Sequence, residues 1–272
     1  MPTYSPAVTD LSADLLDSQA ARERDTDTAT DEFGEPLSLL LGYGDLGARI
    51  ARQGWDSRYP HRRYSEAHTY GVQRLDDLPT AATDADFIIL TGSTDCHRLG
   101  ESIGDTLPEE TTSIAIPVPV DDTGPHEVAA VDATIPCTHA LVQELATDLL
   151  TILTARIRIT PPPQLYQELQ TAGLLQGFRG RENHVESGRS ARDFAETLVA
   201  NTLETPVYTD DRTHTGACVS FLQAGTDLTL RDAEAVRDEI TARVGSGGGP
   251  ELFAAAATED VENESRLTLL RV

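Results

Sequence analysis

Thr215-Gly-Ala-Cys-Val-Ser-Phe-Leu-Gln-Ala-Gly-Thr-Asp-Leu-Thr-Leu-Arg-Asp-Ala-Glu-Ala-Val236 is the stretch whose reading decides the fold. Its first half, Ala217 to Leu222, is a short apolar run that closes on small residues and Gly225, the pattern of a buried strand ending in a tight turn. From Leu230 the apolar positions recur at helical spacing as far as Val244, which predicts a helix. Gly245-Ser-Gly-Gly-Gly249 then reads as a flexible turn. Two more strands are expected, Glu251 to Ala256 and Arg266 to Val272, joined by the polar run Thr258 to Ser265.

Immediately upstream the same domain continues. Helices are expected near Gln164 to Thr171 and Ser190 to Thr202, and a strand near Gly173 to Gln176. Before them, from His139, Leu141, Val142, Leu145, Leu149, Leu150, Ile152 and Leu153 recur at three and four, giving a central helix. Pro161-Pro-Pro163 forbids its continuation, because each proline lacks the N–H a helix interior needs.

The first half of the chain alternates strands and helices, the signature of a parallel sheet with crossover helices. Leu37 to Leu41 is a wholly apolar run that stops at Gly42-Tyr-Gly-Asp-Leu-Gly47 and gives way to a helical start, Ala48 to Arg52. Phe87 to Leu90 is a second buried strand, ending at Thr91-Gly92 and followed by a candidate helix from Cys96 to Asp105. Ser113 to Val120 is a third, and Pro117 and Pro119 predict that it runs to a sheet edge. Residues 54 to 86 show no pattern that assigns them. Residues 1 to 36 are too polar to offset their ordering entropy and read as a disordered acidic arm, with Val8, Leu11, Leu15 and Leu16 spaced as a short docking helix.

The 272 residues carry 45 Asp and Glu against 21 basic residues, all of them Arg, and a formal charge of −24. An acidic, lysine-free chain suits molar salt, where the Debye length falls to about 3 Å and carboxylates hold water and hydrated cations; a halophilic protein is expected. The charge and the lack of a basic cluster argue against a nucleic-acid partner. No stretch approaches the ~18 apolar residues of a membrane span, so a soluble cytoplasmic protein without direct membrane insertion is expected. Cys96, Cys137 and Cys218 have no CxxC spacing and no disulfide framework is expected. Cys96-His97 and Cys137-x-His139 lack zinc-site spacing and are read as structural, so no metal ligands are assigned.

The quoted strand, small-residue turn and aspartate-leucine helix entry, Gly216 to Leu230, together with Glu262-Asn-Glu-Ser-Arg-Leu-Thr-Leu-Leu270, resemble the C-terminal domain of the FtsZ/tubulin-like superfamily. The chain looks like a divergent, haloarchaeal-type member with degenerate GTPase motifs. The resemblance covers residues 139 to 272 well and the rest in outline. It implies an α/β fold: an abbreviated Rossmann-like nucleotide-binding-like domain at 37–138, the central helix at 139–157, and a C-terminal α+β domain at 158–272 whose sheet is flanked by helices.

In that family the first glycine turn and a later glycine-rich loop hold the phosphates of GTP. The matching positions here are Gly42, Gly44 and Gly47, then Thr91, Gly92, Ser93 and Thr94, which become the nucleotide-binding candidates. Past them the expected glycines are replaced by Asp95, Cys96, His97 and Arg98, and Asp45 brings a negative charge to the first turn. The family also inserts an acidic loop after the central helix into a neighbour's site, where aspartates orient water. Here Arg156-Ile-Arg-Ile-Thr-Pro-Pro-Pro-Gln-Leu-Tyr-Gln-Glu168 has no aspartate and reads as a stiff, basic loop. No catalytic residues are therefore assigned, and no resident cofactor, GTP being the ligand the resemblance implies.

The function expected is that of a non-catalytic FtsZ/tubulin-like protein acting by assembly with itself or with an active homologous polymer, in cell division or cell shape. The first alternative is a divergent GTP-binding cytoskeletal polymer. The second is an oxidoreductase whose Gly42-to-Gly47 turn binds NAD(P), with Glu66 on the ribose and Arg62 and Arg63 beside a 2′-phosphate.

Overall fold

The apolar run at Leu37 becomes a strand with Leu39, Leu40 and Leu41 all fully buried, so that both of its faces lie in the core. The protein is seen in a computed structural model that describes residues 37–54, 66–72, 85–93, 110–119, 127–128, 131–154, 157–159, 163–183, 189–209, 217–225, 227–244, 251–257 and 264–272. All of these belong to one unit, Pro36–Val272. The arm expected at 1–36 and the helix expected at Cys96 to Asp105 lie outside the described residues.

In chain order the first half comprises β1 (Leu37–Tyr43), α1 (Gly44–Gly54), β2 (Glu66–Val72), β3 (Phe87–Ser93), β4 (Thr112–Val118) and β5 (Ala133–Thr134). There follow α2 (Val142–Thr154), β6 (Ile157–Ile159), α3 (Pro163–Gln170), β7 (Gly173–Leu174), β8 (Gln176–Asn183), α4 (Ala191–Leu203), β9 (Cys218–Ala224), α5 (Leu230–Val244), β10 (Glu251–Ala257) and β11 (Glu264–Arg271). Two sheets result. The first, in the order β2-β1-β3-β4-β5-β7, is parallel throughout; the second, β6-β10-β9-β11-β8, is mixed.

Parallel strands buried on both faces are continuous apolar runs, which is how β1 and β3 read in sequence. β4 corrects one expectation: its prolines do not put it at an edge, for it lies between β3 and β5. The reason is the shortness of β5, which pairs only with Ile114 and Ala115. Pro117 faces that side, its carbonyl accepting from the Cys137 N–H at 3.0 Å, and its missing donor falls beyond the end of the β5 ladder.

In the mixed sheet β9 is central, parallel to β10 and antiparallel to β11. α4 and α5 cover one face through Phe194, Leu198, Val236 and Ile240, which pack with Leu222, Phe253 and Leu269. Both helices open on the same capping arrangement. Ser190 accepts from the Asp193 N–H at 3.1 Å, and Thr229 accepts from the Asp232 N–H at 3.2 Å while Asp232 accepts from the Thr229 N–H at 3.0 Å.

α2 joins the two sheets. Leu145, Ala146, Leu149 and Leu150 belong to one buried cluster with Leu40, Ile89 and Ile116 of the parallel sheet and Val219, Phe221 and Leu270 of the mixed one. The helical residues Val142–Thr154 lie inside the expected 139–157 span, and Thr138 accepts from the N–H groups of Leu141 and Val142 in the turn that leads into them. The basic loop expected after it is also corrected. Ile157–Ile159 is β6, paired antiparallel with β10, and α3 begins at Pro163, where a first-turn proline loses no helical hydrogen bond. The strand expected near Gly173 to Gln176 is the two-residue β7, followed by the longer β8 that the sequence reading missed.

Candidate functional site: the mouth of the parallel sheet

From β1 the chain crosses to β2 on one side, and from β3 it crosses to β4 on the other. The order therefore reverses between β1 and β3, and an open parallel sheet offers its crevice at the carboxyl ends of the strands at that point. The register pairs Gly42 with Thr91 and Tyr43 with Gly92, and Gly44 and Ser93 each follow directly on that last pair at the rim. Six of the seven candidate residues are thereby brought together; Thr94 lies outside the described residues.

Within this group the roles divide. A Cβ on Gly42 would overlap the Gly47 carbonyl, and one on Gly47 would lie 2.7 Å from the Gly42 carbonyl carbon and overlap the Thr91 oxygen. A Cβ on Gly92 would come within 2.7 Å of the Tyr43 oxygen. These three glycines allow β1, the first turn of α1 and β3 to touch backbone to backbone. Thr91 is fully buried and its hydroxyl donates to the Ile116 carbonyl at 3.3 Å, so it ties β3 to β4 rather than facing a ligand. Gly44 differs from all of them. It has φ +68° and nothing lies within 4 Å of the place its Cβ would occupy. It opens α1, whose first N–H groups have no partner inside the helix and suit an anion. Half-buried Ser93 and exposed Asp45 flank it, and the Asp45 carboxylate competes for the same partial positive charge.

The NAD(P) reading fails on the register. Glu66 pairs with Leu37 at the amino end of the sheet, whereas Val72 pairs with Tyr43 beside the mouth. Six residues of parallel strand, about 20 Å, separate Glu66 from the level of the glycine turn. The acidic residue of a dinucleotide site belongs at the carboxyl end. Arg62 and Arg63 lie outside the described residues.

The strongest electrostatics lie elsewhere, where α2 meets the mixed sheet. Arg179 on β8 is buried and places Nε 2.5 Å from Asp148 Oδ2 and Nη1 2.5 Å from Glu144 Oε2. Arg181 also binds Glu144, and Arg266 on β11 lies 3.5 Å from Asp148 Oδ1 and 2.7 Å from Glu264. Burial pushes the Asp148 carboxyl above the usual carboxylate range, while the adjacent Arg179 first, then Arg266 and Arg181, pull it back. Burial also pushes the nearby Cys137 thiol up to about 12, again opposed by Arg179. The sequence reading missed this group, although Glu144 and Asp148 stand four apart on one face of the helix and Arg179 and Arg181 alternate on one strand face. A polar depression of about 160 Å³, lined by Arg181, Glu182, Asn183 and Glu264, adjoins it, and no residue of the mouth lines it.

Cys137 is fully buried while His139 is exposed, so the two do not converge as ligands. Among the described residues no group of three or more His, Cys, Asp or Glu side chains is gathered as a metal site. No helix among them is long and apolar enough to cross a membrane.

No model of a protein family matches the sequence, and neither does any curated protein. Solved structures do match in shape. An FtsZ from M. jannaschii superposes with a TM-score of 0.65 at 11% identity, over 93% of this chain and 95% of that one. CetZ1 from Haloferax volcanii, a GDP-bound monomer, gives 0.62 at 9% identity, over 87% and 93%. TubZ from Bacillus thuringiensis, in GDP-form protofilaments, gives 0.54 at 10% identity, over 87% and 85%.

Proposed function

The FtsZ/tubulin-like fold of this chain is the premise from which we propose that the protein works by assembly, with its own copies or with an active relative of the same fold, and does not hydrolyse GTP. The observation that carries this reading is the segment after α2. Between Arg156 and Glu168 there is no aspartate, and the described part is tied down as β6 against β10 and as α3. The sequence of this segment offers no aspartate to orient water in a neighbour's site, and its described residues form a paired strand and a helix entered through Pro163. Protofilament formation by TubZ, a protein of the same fold, supports assembly as the mode of action.

The open Gly44 turn favours a second reading, a divergent polymer that binds GTP. One experiment separates the two. The protein is purified in molar salt, bound nucleotide is identified by chromatography, and phosphate release from GTP is followed while polymer is pelleted. Pelleting, alone or with an active relative, without turnover above background is expected. Turnover proportional to protein concentration overturns the non-hydrolysing reading, and absence from every pellet overturns assembly.

Three further parts of the proposal concern the setting. The lysine-free, acidic composition supports a cytoplasm of molar salt, which a loss of secondary structure on dilution into low salt would test. The polar segment 1–36 serves as the docking arm, and its deletion should change localisation while leaving pelleting intact. Division or shape is the cellular task, read from the phenotype of a null strain.

A further inference from the structure

We infer that α2 is keyed to the mixed sheet in a single axial register by one turn, Glu144 to Asp148, so that helix and sheet behave as one rigid piece. Three adjacent strands grip this turn. β8 supplies Arg179, which binds both carboxylates, and β11 supplies Arg266 to Asp148. β9 supplies Gln223, whose Nε2 donates to the Asp148 main-chain carbonyl at 2.6 Å, a buried bond that fixes the helix backbone itself.

The helix sequence offers no second register. One turn is about 5.4 Å and roughly four residues. Sliding α2 by that amount in one direction brings Ile152 opposite Arg179 and Arg266; in the other it brings Ala140 opposite Arg179 and Arg181. Either shift leaves buried Arg179 one carboxylate in place of two and turns an apolar side chain toward its guanidinium, which is costly because a buried charge needs its full set of partners. Arg179 is only 5% exposed and its Nη2 has no partner among the described residues, so solvent does not make good the loss of a carboxylate. The other flank of α2, Leu145, Ala146 and Leu149 against Leu40 and Ile89, is apolar and carries no such register. Apolar contact is non-directional, whereas charged hydrogen bonds are not.

Native-state hydrogen exchange of the full chain in molar KCl tests the inference. In the wild-type protein the amides of α2 are expected to exchange through the same opening as those of β9 and β11, with protection equal to within about twofold. Replacing the central pair with apolar residues of similar size, Asp148→Leu with Arg179→Met, removes the buried charge pair of the key without leaving a lone charge, while the Gln223 bond to the main-chain carbonyl stays. In that variant α2 should exchange at least about tenfold faster than β9 and β11, through a local opening. Wild-type α2 exchanging on its own, or a folded double variant that keeps equal protection, overturns the inference. If the double variant does not fold, the wild-type comparison decides alone. None of these readouts depends on pelleting or nucleotide, so a failure of the assembly proposal leaves them unaffected.

Discussion

The mouth of the parallel sheet and the joint between α2 and the mixed sheet are built by opposite means. At the mouth, Gly42, Gly47 and Gly92 bring backbone against backbone. At the joint, two carboxylates of α2 and three arginines of β8 and β11 are occupied with one another. The contrast teaches how to weigh buried charge. A perturbed carboxyl is often taken to mark an active site, yet here it marks a structural contact whose charges are consumed locally. At the mouth the open feature among the described residues is a glycine at a helix start.

If this division is right, damage to the joint should be the most severe. Asp148→Asn removes one of the two carboxylates on buried Arg179 and leaves Arg266 without that contact; the expected loss is about 3 kcal/mol of stability, the lower end for a broken buried pair because Glu144 stays, read from chemical denaturation in molar salt. A loss below about 1 kcal/mol would mean that the joint is plastic and the contrast with the mouth false.

At the mouth the prediction concerns methyl groups instead of charges. Gly47→Ala must push apart Gly42 and Thr91 and should cost about 1–3 kcal/mol, the range of an overpacked core. Gly44→Ala meets no atom and should cost only the left-handed backbone, about 1–2 kcal/mol. Equal binding losses in the two variants, with equal destabilisation, would erase the distinction between floor and rim.

Cys137 extends the comparison to pH. Its folded value near 12 stands above the ordinary 9.0, so the folded state holds the thiol protonated. Its contribution to stability is complete below about pH 9 and is lost as pH rises from there toward 12, at a limiting slope of about 1.4 kcal/mol per pH unit. Cys137→Ala should flatten this alkaline decline, measured by denaturation at successive pH values. An unchanged slope would show that burial does not hold the thiol protonated.

The same contrast governs what the sequence made legible. α5 runs over Leu230–Val244 as its periodicity predicts, and α4 begins where Ser190 caps it, because both helices rest on apolar spacing and local capping. β8 was not legible. Its segment, Gln176-Gly-Phe-Arg-Gly-Arg-Glu-Asn183, alternates as a strand should, but the positions turned toward α2 are Arg179 and Arg181 in place of apolar residues. Apolar alternation is invisible where a buried face is satisfied by charge. At the mouth, glycine spacing located the turn, but only geometry could assign Gly42 and Gly47 to packing, Thr91 to the sheet and Gly44 to the opening. β6 was hidden by its three-residue length between arginines and prolines, and β4 misled because its prolines face a strand too short to need their donors.

The smallest expected effect on stability isolates the mouth. Asp45 is exposed, and Asp45→Asn should change stability by no more than about 0.5 kcal/mol, since asparagine is also tolerated at a helix start. Its effect on a phosphate should be larger than its effect on the fold. A carboxylate about 5 Å from one phosphate charge, in a medium of intermediate dielectric, opposes binding by an amount worth about tenfold in affinity. At low ionic strength, titration calorimetry with Mg-GTP should therefore show tighter binding to Asp45→Asn than to the wild type. In 1 M salt the Debye length is about 3 Å and the difference should largely vanish. A difference that persists there means that Asp45 acts by contact or by blocking space; no difference in either buffer means that phosphate does not enter at Gly44.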